Sequence, residues 1–303
     1  MAFTPILHSV SYSGSWGQAK LSPEAFVEKA ASLGYKGVML MAKRPHVSVL
    51  DYGEKQRTTL RRLIESWGLT TVCIAGYTNF TSDLEHPDIP TVEMQIQHVT
   101  ELARLARDLG GSAVRIFTGY DNPARKYSDQ FSLTVAALRE CAERAAEMNV
   151  VVGVQNHHDV AVGYESHYDL LRDVGHRNCR AMFDAWAPAL QGTDLTMAAK
   201  HMAPVMIQTT VADYVLRPRF KYNPALVNYS PETPAVQAVP MGEGFIEYRS
   251  FFASLAEAGF HGPVAYEMCS PLADGASVET LDDYARRFLE YMESLPRTAA
   301  AGQ

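Results

Sequence analysis

Val150-Val151-Val152-Gly153-Val154 runs directly into Gln155-Asn156-His157-His158-Asp159. Five apolar residues with no polar interruption read as a strand buried on both faces, the pattern of a parallel sheet covered by helices. A cluster of side chains rich in oxygen and nitrogen follows at once. The same design recurs downstream: Arg180-Ala181-Met182-Phe183 ends in Asp184, Val205-Met206-Ile207 in Gln208-Thr209-Thr210, and Pro263-Val264-Ala265-Tyr266 in Glu267. Four consecutive strands that each release a metal-capable residue at the same end point to one site, because the C-terminal strand ends of a parallel barrel converge on one face.

Upstream the alternation continues. Ile6 to Tyr12, Gly37 to Met41, Thr70 to Ala75 and Ala113 to Thr118 read as four more strands. Helices are expected at Pro23–Leu33, Glu54–Trp67, Pro90–Leu109 and Ser128–Met148, then near Ser166–Val174, Asp194–Met202, Glu247–Ala258 and Val278–Leu295. The first carries both end signals, Ser22 and Pro23 at its start and Gly34 at its stop. Eight strand–helix units in 303 residues favour a single (β/α)8 TIM barrel spanning 1–303, with 297–303 as a frayed tail. A doubly wound nucleotide-binding sheet lacks its G-x-G-x-x-G turn. One connection is unusually long: Asp213 to Phe245, between strands seven and eight, is rich in Pro, Tyr and basic residues and is expected to be a loop that serves substrate or partner.

Composition narrows the class. The chain is 47% hydrophobic and 20% charged with a net charge of −7, an acidic balance that argues against nucleic acid as partner. Cys73, Cys141, Cys179 and Cys269 are scattered and form no CxxC pair, so reduced thiols in the cytoplasm are the simple reading. The first residues lack the basic flank and apolar run of a signal peptide, and no apolar stretch reaches membrane-spanning length. No G-x-S-x-G elbow or Walker loop is present.

Gln155-Asn156-His157-His158, Phe183-Asp184, Val239-Pro240-Met241-Gly242-Glu243-Gly244 and Gly262-Pro263-Val264-Ala265-Tyr266-Glu267, in this order and spacing, resemble the xylose-isomerase-like barrels. These include ketose 3-epimerases, inosose dehydratases and the catalytic subunits of C-glycoside deglycosidases, and the chain is closest in character to the last. The resemblance implies a divalent metal, Mn2+ first with Mg2+ or Co2+ as alternatives. Its usual ligands are Glu, Asp, His and Glu; this sequence keeps Asp184 and Glu267 but has Gln155 and Gln208 at or near the other two positions. Amide oxygens still suit a hard cation, at a ligand charge reduced from −3 to −2.

The same departure bears on the reaction. Gln155 cannot act as a base, so His157 or His158 is expected to take that part, His157 because it shares the strand parity of Gln155, with Glu267 assisting. At most one of the two histidines should face the site if that parity persists. Such a site removes a proton beside the carbonyl of a sugar. The expected outcome is β-elimination from a 3-oxo-glycoside; a ketose or sugar-phosphate epimerase or isomerase, an inosose-type dehydratase and a non-catalytic barrel subunit are the alternatives. His8, Arg115 and Thr118 are candidate substrate contacts within the barrel, and Arg217 and Arg219 on the long connection. His46, His86, His98, His167, His176, His201 and His261 are expected on surfaces or helices. The resemblance further implies an oligomer, and the deglycosidase reading a small second subunit.

Overall fold

The computed structural model describes residues 3–84 and 87–296. Eight parallel strands form the barrel: β1 (Thr4–His8), β2 (Gly37–Met41), β3 (Thr71–Ala75), β4 (Ala113–Ile116), β5 (Val151–Gln155), β6 (Cys179–Met182), β7 (Thr209–Val211) and, after a hairpin of β8 (Asp213–Asn223) and β9 (Asn228–Val239), β10 (Pro263–Tyr266). Their order is β6-β5-β4-β3-β2-β1-β10-β7. The seam between β6 and β7 is bridged at Ala181 and Met206, where Ile207 N–H donates to Ala181 O at 2.9 Å. Around the sheet lie α1 (Pro23–Leu33), α2 (Glu54–Ser66), α3 (Thr91–Asp108), α4 (Tyr127–Ala146), α5 (Tyr164–Val174), the short α6 (Trp186–Leu190), α7 (Leu195–Met202), α8 (Tyr248–Glu257) and α9 (Val278–Ser294).

Local chemistry explains the helix ends. Ser22 Oγ accepts from Ala25 N–H, Pro23 opens α1, and Gly34 closes it at φ 99°. Asp194 caps α7 and Ser277 caps α9 in the same manner. All five residues of β2 are buried, as a strand covered on both sides requires. The barrel interior below the strand ends is closed by Ile6, Met39, Cys73, Ala75, Met182 and Ala265.

Three expectations need correction. The first strand stops at His8, and Ser9–Tyr12 turns into a 3-10 helix. The seventh strand is not Val205–Ile207: Ala203–Val205 is a 3-10 turn containing Pro204, and the ladder begins at Thr209, so Gln208 precedes β7 rather than following it. The long connection is not a loop. Asp213 to Val239 folds into a two-stranded antiparallel hairpin, paired from Asp213 with Val239 to Asn223 with Asn228 and bulged between Arg217 and Arg219. Its Tyr, Val and Phe residues favour strands, and with only two strands its prolines sit on free edges. The hairpin is fastened at its base, where the Asp213 carboxylate accepts from Gly242 and Gly244 N–H, both at 2.9 Å. A Cβ at Gly244 would collide with that carboxylate, which accounts for glycine there. The predicted tail at 297–303 and His86 lie outside the described residues.

Candidate active site

The strand ends open onto a cavity of about 830 Å3. The end of β2 contributes Met41 and Lys43, β3 leads to Tyr77, β4 gives Arg115 and Phe117, and β5 gives Gln155, His157 and His158; Trp186 begins α6, and Glu267 and Cys269 follow β10. Sequence reasoning missed Lys43, Tyr77, Trp186 and Cys269. The strand-end rule, applied to the second and third strands as it was to the last four, would have found the first two.

Both histidines line the cavity, against the expectation that only one could. β5 ends at Gln155 and residues 156 to 158 turn, so the alternation of strand faces has already lapsed. The two rings meet edge to face at 5.0 Å and both pack on Phe117. Each Nδ1 is buried without a hydrogen-bond partner. Burial holds both well below the usual imidazole range, at about 4, with His158 and Arg115 adding repulsion at His157, and Arg115 at His158. They are therefore neutral near pH 7, and weaker bases than an ordinary histidine. His46 departs from expectation, since it is buried with Nδ1 2.9 Å from Ser9 Oγ; His167 lies on α5 as expected, on its buried face.

Glu267 is the carboxylate that faces the cavity. Burial raises its pKa, and Arg115 opposes the shift. The Cys269 thiol donates to Oε1 at 3.3 Å, and Tyr214 Oη lies 3.0 Å from that sulfur. Burial above all keeps Cys269 protonated. Tyr214 stacks on Trp186 at 4.4 Å, so the base of the hairpin forms part of the wall behind Glu267.

Asp184 is buried outside the cavity lining. Its Oδ2 accepts from Gln155 Nε2 at 2.7 Å and its Oδ1 from Trp186 N–H at 3.2 Å. Burial and the Glu267 charge push it up to about 7, against those hydrogen bonds. Asn156 fixes the turn, accepting from Asp184 N–H at 2.7 Å and donating to Asp184 O.

Of the other expected contacts, His8 is enclosed at the end of β1. Val10 N–H donates to its Nδ1, while Nε2 lies 3.7 Å from Glu267 Oε2 and 3.2 Å from Arg115 Nη2. Thr118 is turned away from the cavity: its hydroxyl donates to Val160 O at 2.7 Å and ties down the segment after β5. Arg217 and Arg219 are not brought to the site. They lie exposed on the hairpin, bonded to Gln237 and paired with Glu232.

The four residues expected to hold a metal fit one poorly. Gln155 turns its amide nitrogen to Asp184, and Gln208 directs its own to Met39 Sδ at 3.4 Å, down into the barrel core. Among the described residues no three His, Cys, Asp or Glu side chains gather as a metal cluster. Of the four, Glu267 faces the cavity, and Gln155 Oε1 is enclosed without a partner. Against a metal there stands Arg115, a fixed positive charge in the same chamber.

Residues 27–294 match the xylose isomerase-like TIM barrel family. The chain belongs to that family. Its curated relatives include the L-ribulose-5-phosphate 3-epimerase UlaE of Salmonella paratyphi C, 22% identical over 288 residues, covering 88% of this chain and 90% of the relative. The enzyme of the same name from Escherichia coli O157:H7 is 23% identical over 295 residues, with the same coverage. Among solved structures, the D-psicose 3-epimerase of Clostridium cellulolyticum H10 superposes with a TM-score of 0.77 at 15% identity, over 97% of this chain and 99% of that one. The probable 3-DHS dehydratase AsbF of Bacillus anthracis reaches 0.71 at 16% identity, over 96% and 99%. At these identities the structural likeness establishes the fold.

Proposed function

We propose that this barrel is an isomerase-type enzyme that removes and returns the proton on the carbon beside the carbonyl of a ketose, a 3-epimerase-like reaction. The observation that carries this reading is the pairing of Glu267 with the His157–His158 corner across one cavity. Glu267 stands after β10, and His157 and His158 follow β5, with β6 and β7 between those strands around the barrel. A planar intermediate bound in the cavity would meet Glu267 on one side and an imidazole on the other, which inversion of a carbon centre requires. The desolvated Glu267 carboxylate, more basic than a surface glutamate, is the better base for the first transfer. The neutral imidazoles can donate through N–H to the sugar oxygens, as a histidine with a lowered pKa does elsewhere, and carry the proton at the opposite face.

The names of its relatives support a sugar substrate, free or phosphorylated. β-Elimination from a 3-oxo-glycoside begins with the same proton abstraction, but no contact in the cavity favours it. The test is exchange of substrate C–H for solvent deuterium, followed by NMR on ketopentoses, ketohexoses, their phosphates and 3-oxo-glycosides. Exchange with appearance of the C3 epimer supports the proposal; release of an aglycone without epimer would replace it with the lyase. Sedimentation of the purified chain decides between monomer and oligomer, and co-purification whether a small subunit accompanies it. No described helix is long and apolar enough to cross a membrane.

A further inference from the structure

Arg115 is the largest of the buried side chains among the described residues. No carboxylate lies within 4 Å of it among the described residues, since none of the ion pairs includes it. Nη1 donates to Gly76 O at 3.0 Å, the guanidinium lies over Phe117 and Tyr77 at 4.1 and 4.9 Å, and Nε has no acceptor. The contact of Nη2 with His8 is not a settled hydrogen bond. A neutral imidazole has one acceptor, and His8 Nδ1 already accepts from Val10 N–H. Its Nε2 then carries the hydrogen, and two donors face each other at 3.2 Å. Burial and the nearby guanidinium keep His8 neutral. Arg115 lines the cavity and thus holds unspent donors in its wall. A buried charge without a direct ion-pair partner is costly to keep, and such groups mark functional sites.

We propose that Arg115 supplies the positive charge for the reacting oxygen, in the place a divalent cation takes in the family pattern. This rests on the carbon-acid reading above. Glu267 takes the proton; the C–H electron pair becomes the new C=C bond, and the carbonyl π pair moves onto oxygen. That oxygen, now negative, accepts from the guanidinium of Arg115. Return of a proton to carbon reverses the flow and leaves no net charge, so no co-reactant is needed. The two glutamines belong to the same arrangement. Two legs of 3.7 and 3.2 Å place Glu267 Oε2 within about 7 Å of Arg115 Nη2. At an effective dielectric of about 20, a dication beside Glu267 would be repelled enough to weaken its binding on the order of a thousandfold. Gln155 in place of a glutamate lowers the negative charge by one, and Arg115 offsets part of what remains.

The experiment has two arms. In the first, chelator-treated protein is titrated with Mn2+ and followed by electron paramagnetic resonance. The wild type is expected to take up no stoichiometric Mn2+ at sub-millimolar concentration. Gln155→Glu with Gln208→His should still bind weakly, and adding Arg115→Met should tighten binding by two to three orders of magnitude. In the second, deuterium exchange is measured in the presence of chelator. It should persist in the wild type, fall about a hundredfold or more in Arg115→Met, and recover in part in Arg115→Lys. Tight Mn2+ binding to the wild type with chelator-sensitive exchange would overturn the role of Arg115 while leaving the carbon-acid reading intact. If no sugar exchanges, that reading falls, and the Mn2+ arm alone still decides whether Arg115 excludes the dication.

Discussion

Replacing Asp184 with Asn separates a buried acid from a metal ligand. Asp184 is pushed from 3.8 up to about 7 in the folded protein, by burial first and by the Glu267 charge in addition. Below pH 4 it is protonated in both folded and unfolded chains, and its full contribution to stability is present. As pH rises, the unfolded carboxyl ionises freely while the folded one holds its proton. Stability therefore drains away until pH passes the folded value near 7. A separation of about three pKa units sets a ceiling near 4 kcal/mol. Asparagine cannot ionise and loses nothing over that interval. Its hydrogen bonds can be kept: Asn Oδ1 accepts from Trp186 N–H, and its NH2 donates to Gln155 Oε1, now unpartnered, once that amide turns over. Urea unfolding of both proteins at pH 4 and pH 8, with chelator present, should show Asp184→Asn nearly neutral at pH 4. At pH 8 it should be relatively stabilised by roughly 2–4 kcal/mol. A difference that does not change with pH, or a wild type that gains on the variant toward pH 8, refutes the reasoning.

The remaining perturbations address the other side chains. Glu267→Gln should lower deuterium exchange by roughly 10^2–10^4-fold with little change in the folded state, read by NMR and circular dichroism. In the wild type, exchange should fall as pH drops through the raised pKa of Glu267, because only the carboxylate accepts the proton, and a flat acid limb would remove Glu267 as base. Thr118→Val should cost about 1 kcal/mol in denaturant midpoint through loss of the bond to Val160 O, without the large loss of binding expected of a substrate contact. Arg217→Ala and Arg219→Ala should leave sugar binding in the cavity unchanged, followed by quenching of tryptophan fluorescence, since Trp16 and Trp186 line the cavity; a tenfold loss in either would return the hairpin to the site.

The barrel was legible in the sequence because its strands are continuous apolar runs and its helices carry strong end signals, as at Ser22, Pro23 and Gly34. The failures have local causes. Pro204 draws the start of the run that reads as a seventh strand into a 3-10 turn, and the ladder begins at Thr209, four residues after that run does. The hairpin escaped notice because four prolines and several charges read as loop, whereas two-stranded edges and the turn between them tolerate both.

The site was legible in part for a related reason. Strand ends announce which residues reach the mouth of the barrel, and they gave Gln155, His157, His158, Arg115 and Glu267. They do not announce what each side chain does there, which depends on neighbours from other strands. A strand-end amide reads as a metal ligand in isolation. Gln155 instead donates to Asp184, and Gln208 to a core methionine. Likewise Arg115 reads as one more substrate contact until His8 shows it has no free acceptor to offer. The missing carboxylate at Gln155 and the buried guanidinium answer one another, since losing a negative ligand would weaken a dication site and a fixed cation near Glu267 would weaken it further. Either change alone could be compensated, but both together change which group carries the positive charge in the chamber.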